Sequence, residues 1–170
     1  MKIQLRPSLL KIRRQSVKWI VIHHSVEFYK DPAAFVDNAS FQLPKLYNGV
    51  LEDKSGDINY HYVIEKIKED YHAIATRPFV YLCEYPDIDV NINNRAIHVA
   101  LLGSYDVKVP EKRLLEKLAY ELLNPFMKMY HLNPKRIKFH RDISSENITC
   151  PGEFMEMARV EALVRRFVIK

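Results

Sequence analysis

The residues of this chain best suited to chemistry are a histidine pair and a distant histidine and cysteine. His23-His24 closes the run Trp19-Ile20-Val21-Ile22, His140 opens His140-Arg141-Asp142, and Cys150 stands within Thr149-Cys150-Pro151-Gly152. Zinc takes imidazole and thiolate ligands tetrahedrally, and a catalytic zinc keeps three protein ligands with the fourth position open. His23, His140 and Cys150 meet that count, and their wide spacing is unlike the short C-x-x-C of a structural zinc site. Seven histidines allow many such triples. The bland readings therefore stay open: a strand-end histidine that merely packs, and a cysteine that is a small inert hydrophobe.

These residues need elements to carry them. Residues 19–24 read as a strand covered on both faces. Adjacent strand residues point to opposite faces, so only one of His23 and His24 can face a given site. Asp31-Pro32 suits a helix start in 32–38, and 41–51 reads as a second helical piece or ordered loop. Asn48-Gly49 and residues 54–57 are turn signals. Residues 58–64 read as a strand, 65–70 as a charged turn and 71–75 as the returning strand of a hairpin. Residues 77–92 form a long loop, of the kind that is functional or mobile in compact domains. A third apolar strand spans 96–102. Pro110 opens a leucine-rich helix reaching about Tyr130, which Pro125 is expected to kink or divide in two. Residues 136–139 make a short strand. Pro151 at the first turn opens a last helix, with Phe154, Met157, Ala158, Ala162, Leu163 and Phe167 as its apolar stripe. The fold class is α/β: a single domain with a mixed central β-sheet flanked by helices.

The bulk properties narrow the function classes. The chain has 170 residues, 48% hydrophobic and 28% charged, as expected of one globular domain with a real core. No apolar run approaches the roughly 18 residues that a membrane helix needs. The first residues lack the apolar core and cleavage site of a signal peptide, so synthesis in the cytoplasm is expected. With two cysteines there is no disulfide framework, and Cys83 is expected to be a free structural thiol. The net charge of +5 suggests an anionic partner, whether nucleic acid, a membrane surface or an acidic polymer such as cell wall, and charge alone does not choose among them. No specific nucleic-acid partner is expected. Residues 1–16 read as a basic N-terminal arm and 17–170 as the catalytic domain, expected to be monomeric.

Four stretches occur in order: Ile22-His23-His24-Ser25, Asn59-Tyr60-His61-Tyr62-Val63-Ile64, the strand ending at Gly103, and His140-Arg141-Asp142 followed by Thr149-Cys150-Pro151-Gly152. Together they resemble the zinc-dependent N-acetylmuramoyl-L-alanine amidases of type 2, in the superfamily of T7 lysozyme and the peptidoglycan recognition proteins. The resemblance covers most of the chain from Lys18. It implies zinc (Zn2+) held by His23, His140 and Cys150, at the floor of a groove. It also implies Tyr60 beside the reacting centre, and hydrolysis of the bond between N-acetylmuramic acid and L-alanine of peptidoglycan or a muropeptide. Thr149 is expected as a second catalytic hydroxyl, although the loop before Cys150 is longer than usual by about two residues and Ile148 occupies the usual assisting position. Arg77 and Arg95 are candidate substrate-binding residues, each able to grip a carboxylate in bidentate fashion.

The recycling branch of the family carries a glutamate where this chain has Ala100, so the resemblance points to the lytic branch, as in a phage endolysin acting on the cell wall. Two rivals stand beside the enzyme. One is a peptidoglycan-binding module without turnover, a fate that usually involves loss of the cysteine kept here. The other is a regulatory protein that contacts a macromolecular partner through the basic arm.

Overall fold

The structure, a computed structural model, describes residues 10–25 and 58–168. The expected helix at 32–38, the piece at 41–51 and the turns at 48–49 and 54–57 lie outside the described residues. Five strands form one mixed sheet: β1 (Trp19–His24), β2 (Tyr62–Ile67), β3 (Asp70–Ala75), β4 (Ala96–Leu101) and β5 (Ile137–Phe139), in the order β3-β2-β4-β1-β5. β4 is the middle strand, and β1 lies between β4 and the edge strand β5, parallel to both. β2 is parallel to β4 and antiparallel to β3.

Strand alternation divides the sheet into two unlike faces. Ile20, Ile22, Ile97, Val99 and Leu101 face the helices and join the main core with Leu114, Leu118, Leu122, Phe126 and Val164. Val21 and His23 of β1, and Ala96, His98 and Ala100 of β4, face the other way, toward loops. The single turn α1 (Val90–Asn93) lies on that loop side, where Ile92 packs against Val21 and Ala96. The helical layer comprises α2 (Lys112–Lys117), a π-helical stretch (Leu118–Leu123), α3 (Asn124–Tyr130) and α4 (Met157–Val168). Pro125 does not break the long helix. The π-helical stretch just before it absorbs the missing N–H and the ring's demand for space. The helix ends at His131, which adopts a left-handed conformation and donates its N–H to the Met127 carbonyl.

Three expectations need correction. The hairpin strand runs through Glu65 to Ile67 and turns at Lys68-Glu69, with Lys68 at φ 56°, because 58–61 are drawn off to bond the neighbouring loop and β4. The last helix begins at Met157 rather than Pro151, since residues 151–155 are held in a turn by Tyr105 and Arg141. Its buried side chains are Val160 and Val164, with Met155 just ahead; of the expected stripe, Met157 and Leu163 pack half-buried against the core, while Phe154, Ala158 and Ala162 are exposed.

Residues 10–16 lie against the domain. Leu10 is buried and Ile12 bridges Tyr81. Arg13 donates to the carbonyls of Phe79, Asn94 and Ala96 at 2.8–3.0 Å, tying the N-terminal segment to the long loop and the start of β4.

Candidate metal and catalytic site

The site lies at the carboxyl end of β1, on the loop-covered face of the sheet. His23 points there and His24 points to the helical face, where its Nδ1 accepts the Tyr105 N–H at 3.4 Å. Burial lowers the His24 pKa to about 4 against the opposing pull of Asp106, so His24 is a neutral packing residue near pH 7.

The chain after β5 supplies the other two groups. His140 follows Phe139 directly in a single 3-10 turn. Arg141 then clamps the returning loop: its N–H donates to the Cys150 carbonyl, and its guanidinium to the carbonyls of Thr149, Gly152 and Met155. Gly152 lets that loop pass the backbone of Tyr105. At φ 111°, a Cβ there would sit 2.4 Å from a Tyr105 backbone atom. These contacts bring ligand atoms of His23, His140 and Cys150 within 4.8 Å of one another. Among the described residues no other histidine, cysteine or carboxylate group makes such a cluster.

Each of the three is held by a second group. His23 Nε2 lies 2.9 Å from His98 Nδ1, and its Nδ1 lies 4.0 Å from Cys150 Sγ. His140 Nε2 lies 2.7 Å from Asp87 Oδ2, a close contact not aligned along the ring N–H, and Ser144 Oγ donates to the same carboxylate oxygen at 2.6 Å. Cys150 Sγ accepts the backbone N–H of His24 at 3.4 Å. Burial lowers the pKa of His23 and His140, for His140 in spite of Asp87, so both imidazoles are neutral near pH 7. Burial also pushes the Cys150 thiol up to about 12, with the His24 N–H opposing. Two neutral imidazoles, one thiol and no cation among them fit a divalent zinc ion, whose binding would displace the thiol proton.

The long loop at 76–89 closes the site. Asn59 anchors it through its side chain, which bonds the N–H and carbonyl of Glu84. Tyr85 donates its hydroxyl to the Asn59 carbonyl at 2.6 Å, and its ring stacks on His23 at 4.6 Å. Tyr60 meets His23 edge-on at 5.3 Å, and its side chain is hydrogen-bonded to that of Tyr85. Thr149 is exposed and Ile148 half-buried immediately before Cys150.

The two arginines leave the candidate set. Arg77 is 2% exposed and bonds Asn59 Oδ1 and the Leu82 carbonyl, so it braces the loop from inside. Arg95 precedes β4 at the end of the sheet opposite His23 and bonds Gln15. The structure adds three residues to the site, Tyr85, Asp87 and His98. For His98 a signal existed, because Ala96, His98 and Ala100 alternate with large apolar residues and so share one face.

The model of the type 2 N-acetylmuramoyl-L-alanine amidase family matches residues 13–153, and the chain belongs to that family. A search of curated protein sequences gave no match. Among solved structures it is similar to the N-acetylmuramoyl-L-alanine amidase LysC from Clostridium intestinale, at 19% identity and TM-score 0.64, covering 91% of this chain and 93% of that one. An AmpD derivative aligns at 17% identity and TM-score 0.68, over 91% and 89%. Drosophila PGRP-LB, solved as a mutant in complex with tracheal cytotoxin, aligns at 18% and 0.63, over 90% and 85%. At these identities the structures establish the shared fold.

Proposed function

We propose that the chain is a zinc-dependent amidase that hydrolyses the bond between N-acetylmuramic acid and L-alanine in peptidoglycan. The observation that carries this reading is the convergence of His23, His140 and Cys150 within 4.8 Å, each backed by its own partner. Zinc in such a site polarises the scissile carbonyl and lowers the pKa of water toward about 7. The chain's residues do the rest. The His24 N–H and burial hold the sulfur in place, and Asp87 engages His140 Nε2, leaving Nδ1 as the nitrogen for a metal. The Tyr60 hydroxyl, tethered by Tyr85 in the free protein, is the donor for the negative charge that develops on the carbonyl oxygen, and Thr149 is a second hydroxyl beside Cys150. The Tyr85 ring narrows access for bulk water.

The test is metal content of the purified protein, measured together with release of free amino termini from peptidoglycan. About one zinc per chain is expected, with both metal and hydrolysis lost in His140→Ala and Cys150→Ser. Full hydrolysis by rigorously metal-free protein refutes the mechanism. Zinc uptake and peptidoglycan binding without release would instead make the chain a binding module of this fold.

A further inference from the structure

We propose that His98 is a positioning residue whose Nδ1 accepts the proton of His23 Nε2 and thereby presents His23 Nδ1 to the metal. The inference rests on the zinc reading above and adds a residue to it.

The two rings are 2.9 Å apart at these nitrogens, and both residues are fully buried. The register explains the meeting: Val21 of β1 pairs with His98 of β4, so His98 stands diagonally behind His23 on the same face. Ala96 and Ala100 flank it on that face and leave room for a ring. Tyr85 stacks on both rings, at 4.6 Å on His23 and 4.7 Å on His98, and restrains either from turning away. Behind His98, its own backbone N–H donates to His61 Nδ1 at 3.0 Å, fixing the strand at this point.

The direction of the bond follows from the proton count. His23 Nδ1 is the nitrogen facing Cys150, so a metal there takes the Nδ1 lone pair and the ring proton must sit on Nε2. A buried N–H without an acceptor costs about 1–3 kcal/mol, and His98 Nδ1 is the acceptor in reach. The His98 proton then belongs on its own Nε2. The Asn93 backbone favours a proton on that ring; Nε2 makes no hydrogen bond of ordinary geometry among the described residues, a cost that the metal on His23 Nδ1 has to outweigh. The opposite arrangement, with His98 donating, would put the His23 proton on Nδ1, among the metal ligands.

The experiment measures zinc affinity of the full chain by chelator competition, with histidine nitrogen NMR of the zinc-loaded wild type. Removing a partner behind a metal-binding histidine typically costs about 10–100-fold in affinity. His98→Leu, which fills the space without an acceptor, should lose affinity on that scale. His98→Asn places an amide oxygen where Nδ1 stands and should bind within about threefold of wild type. His98→Gln places its polar atoms near Nε2 and should behave like His98→Leu. The NMR pattern should show His98 protonated on Nε2.

Leucine binding as tightly as wild type overturns the role of His98, as does asparagine failing to rescue. A His98 proton on Nδ1 in the wild type overturns it even if no variant folds. A wild-type chain with no zinc affinity overturns the metal reading itself.

Discussion

His61 should make the stability of this protein fall steeply in mild acid. It is wholly buried behind His98, with its Nδ1 accepting the His98 backbone N–H and its Nε2 3.0 Å from the Tyr81 carbonyl and 3.1 Å from an Arg13 nitrogen. Burial lowers its pKa to about 3, and the neighbouring Arg13 charge adds to the effect. The sign is that of a base held neutral. Above the ordinary value of 6.5, folded and unfolded chains are both unprotonated at this site and stability is at its full level. Between 6.5 and about 3 only the unfolded chain takes up the proton, and stability is lost as pH falls through that window.

Near pH 5 the difference is almost one proton, a slope of about 1.4 kcal/mol per pH unit from this residue alone. Across the whole window it amounts to roughly 5 kcal/mol, comparable to the entire stability of many domains. The assay is urea unfolding of wild type and His61→Asn at steps from pH 7 to 4.5. The amide keeps an acceptor near Nδ1 but cannot titrate. The variant should start about 1–3 kcal/mol less stable at pH 7, and its line should then be flatter by about 1.4 kcal/mol per pH unit. Parallel lines would mean that His61 is already charged in the fold, or exchanges with solvent, and would refute the argument.

The remaining expectations concern the site and its supports. Tyr60→Phe should retain zinc and lower turnover by about 10²–10³-fold, the usual loss of one donor to a developing charge; unchanged turnover would reduce Tyr60 to a packing residue. Thr149→Val should lower the rate with zinc retained, and full activity would mean that the lengthened loop turns this hydroxyl away. Gly152→Ala forces a Cβ into the Tyr105 backbone and should displace Cys150, seen as lost zinc affinity in a chain that still unfolds cooperatively. In the core, Leu118→Ala should cost about 2–5 kcal/mol in urea unfolding while leaving zinc affinity intact.

What the sequence made legible follows from how locally each feature is encoded. β1 and β4 are short runs of large apolar residues and could be read directly. Strand alternation also says that only one of His23 and His24 can face a given site, but which of them it is comes from the resemblance and not from the pattern. The start of the last helix could not be read, because Pro151 carries a helix-opening signal that Arg141 and Tyr105 override through carbonyl contacts from elsewhere in the chain. Nor could the continuity of the helix through Pro125, since the π-helical stretch that precedes the proline has no simple residue signature. Arg77 and Arg95 offer only what any guanidinium offers, a bidentate grip on a carboxylate. Whether an arginine faces a groove or braces a loop depends on where the backbone carries it, and the Asn59 contacts that decide this for Arg77 cross 18 residues.

The face away from the long helices shows how a site can be both buried and polar without collapsing the fold. Four imidazoles with lowered pKa, His23, His61, His98 and His140, lie close together there. An apolar face would be more stable in isolation, since each ring must find a partner or leave a buried polar atom unsatisfied. The partners form a chain that crosses the sheet: Arg13 and the Tyr81 carbonyl at His61, His61 at the His98 backbone, His98 at His23, and His23 toward Cys150. One end is fixed by a segment near the N-terminus and the other by the loop after β5. The geometry at the proposed metal ligands is therefore set by contacts far along the chain, and substitutions at Arg13 should reach zinc affinity only through that series, more weakly than substitutions at His98.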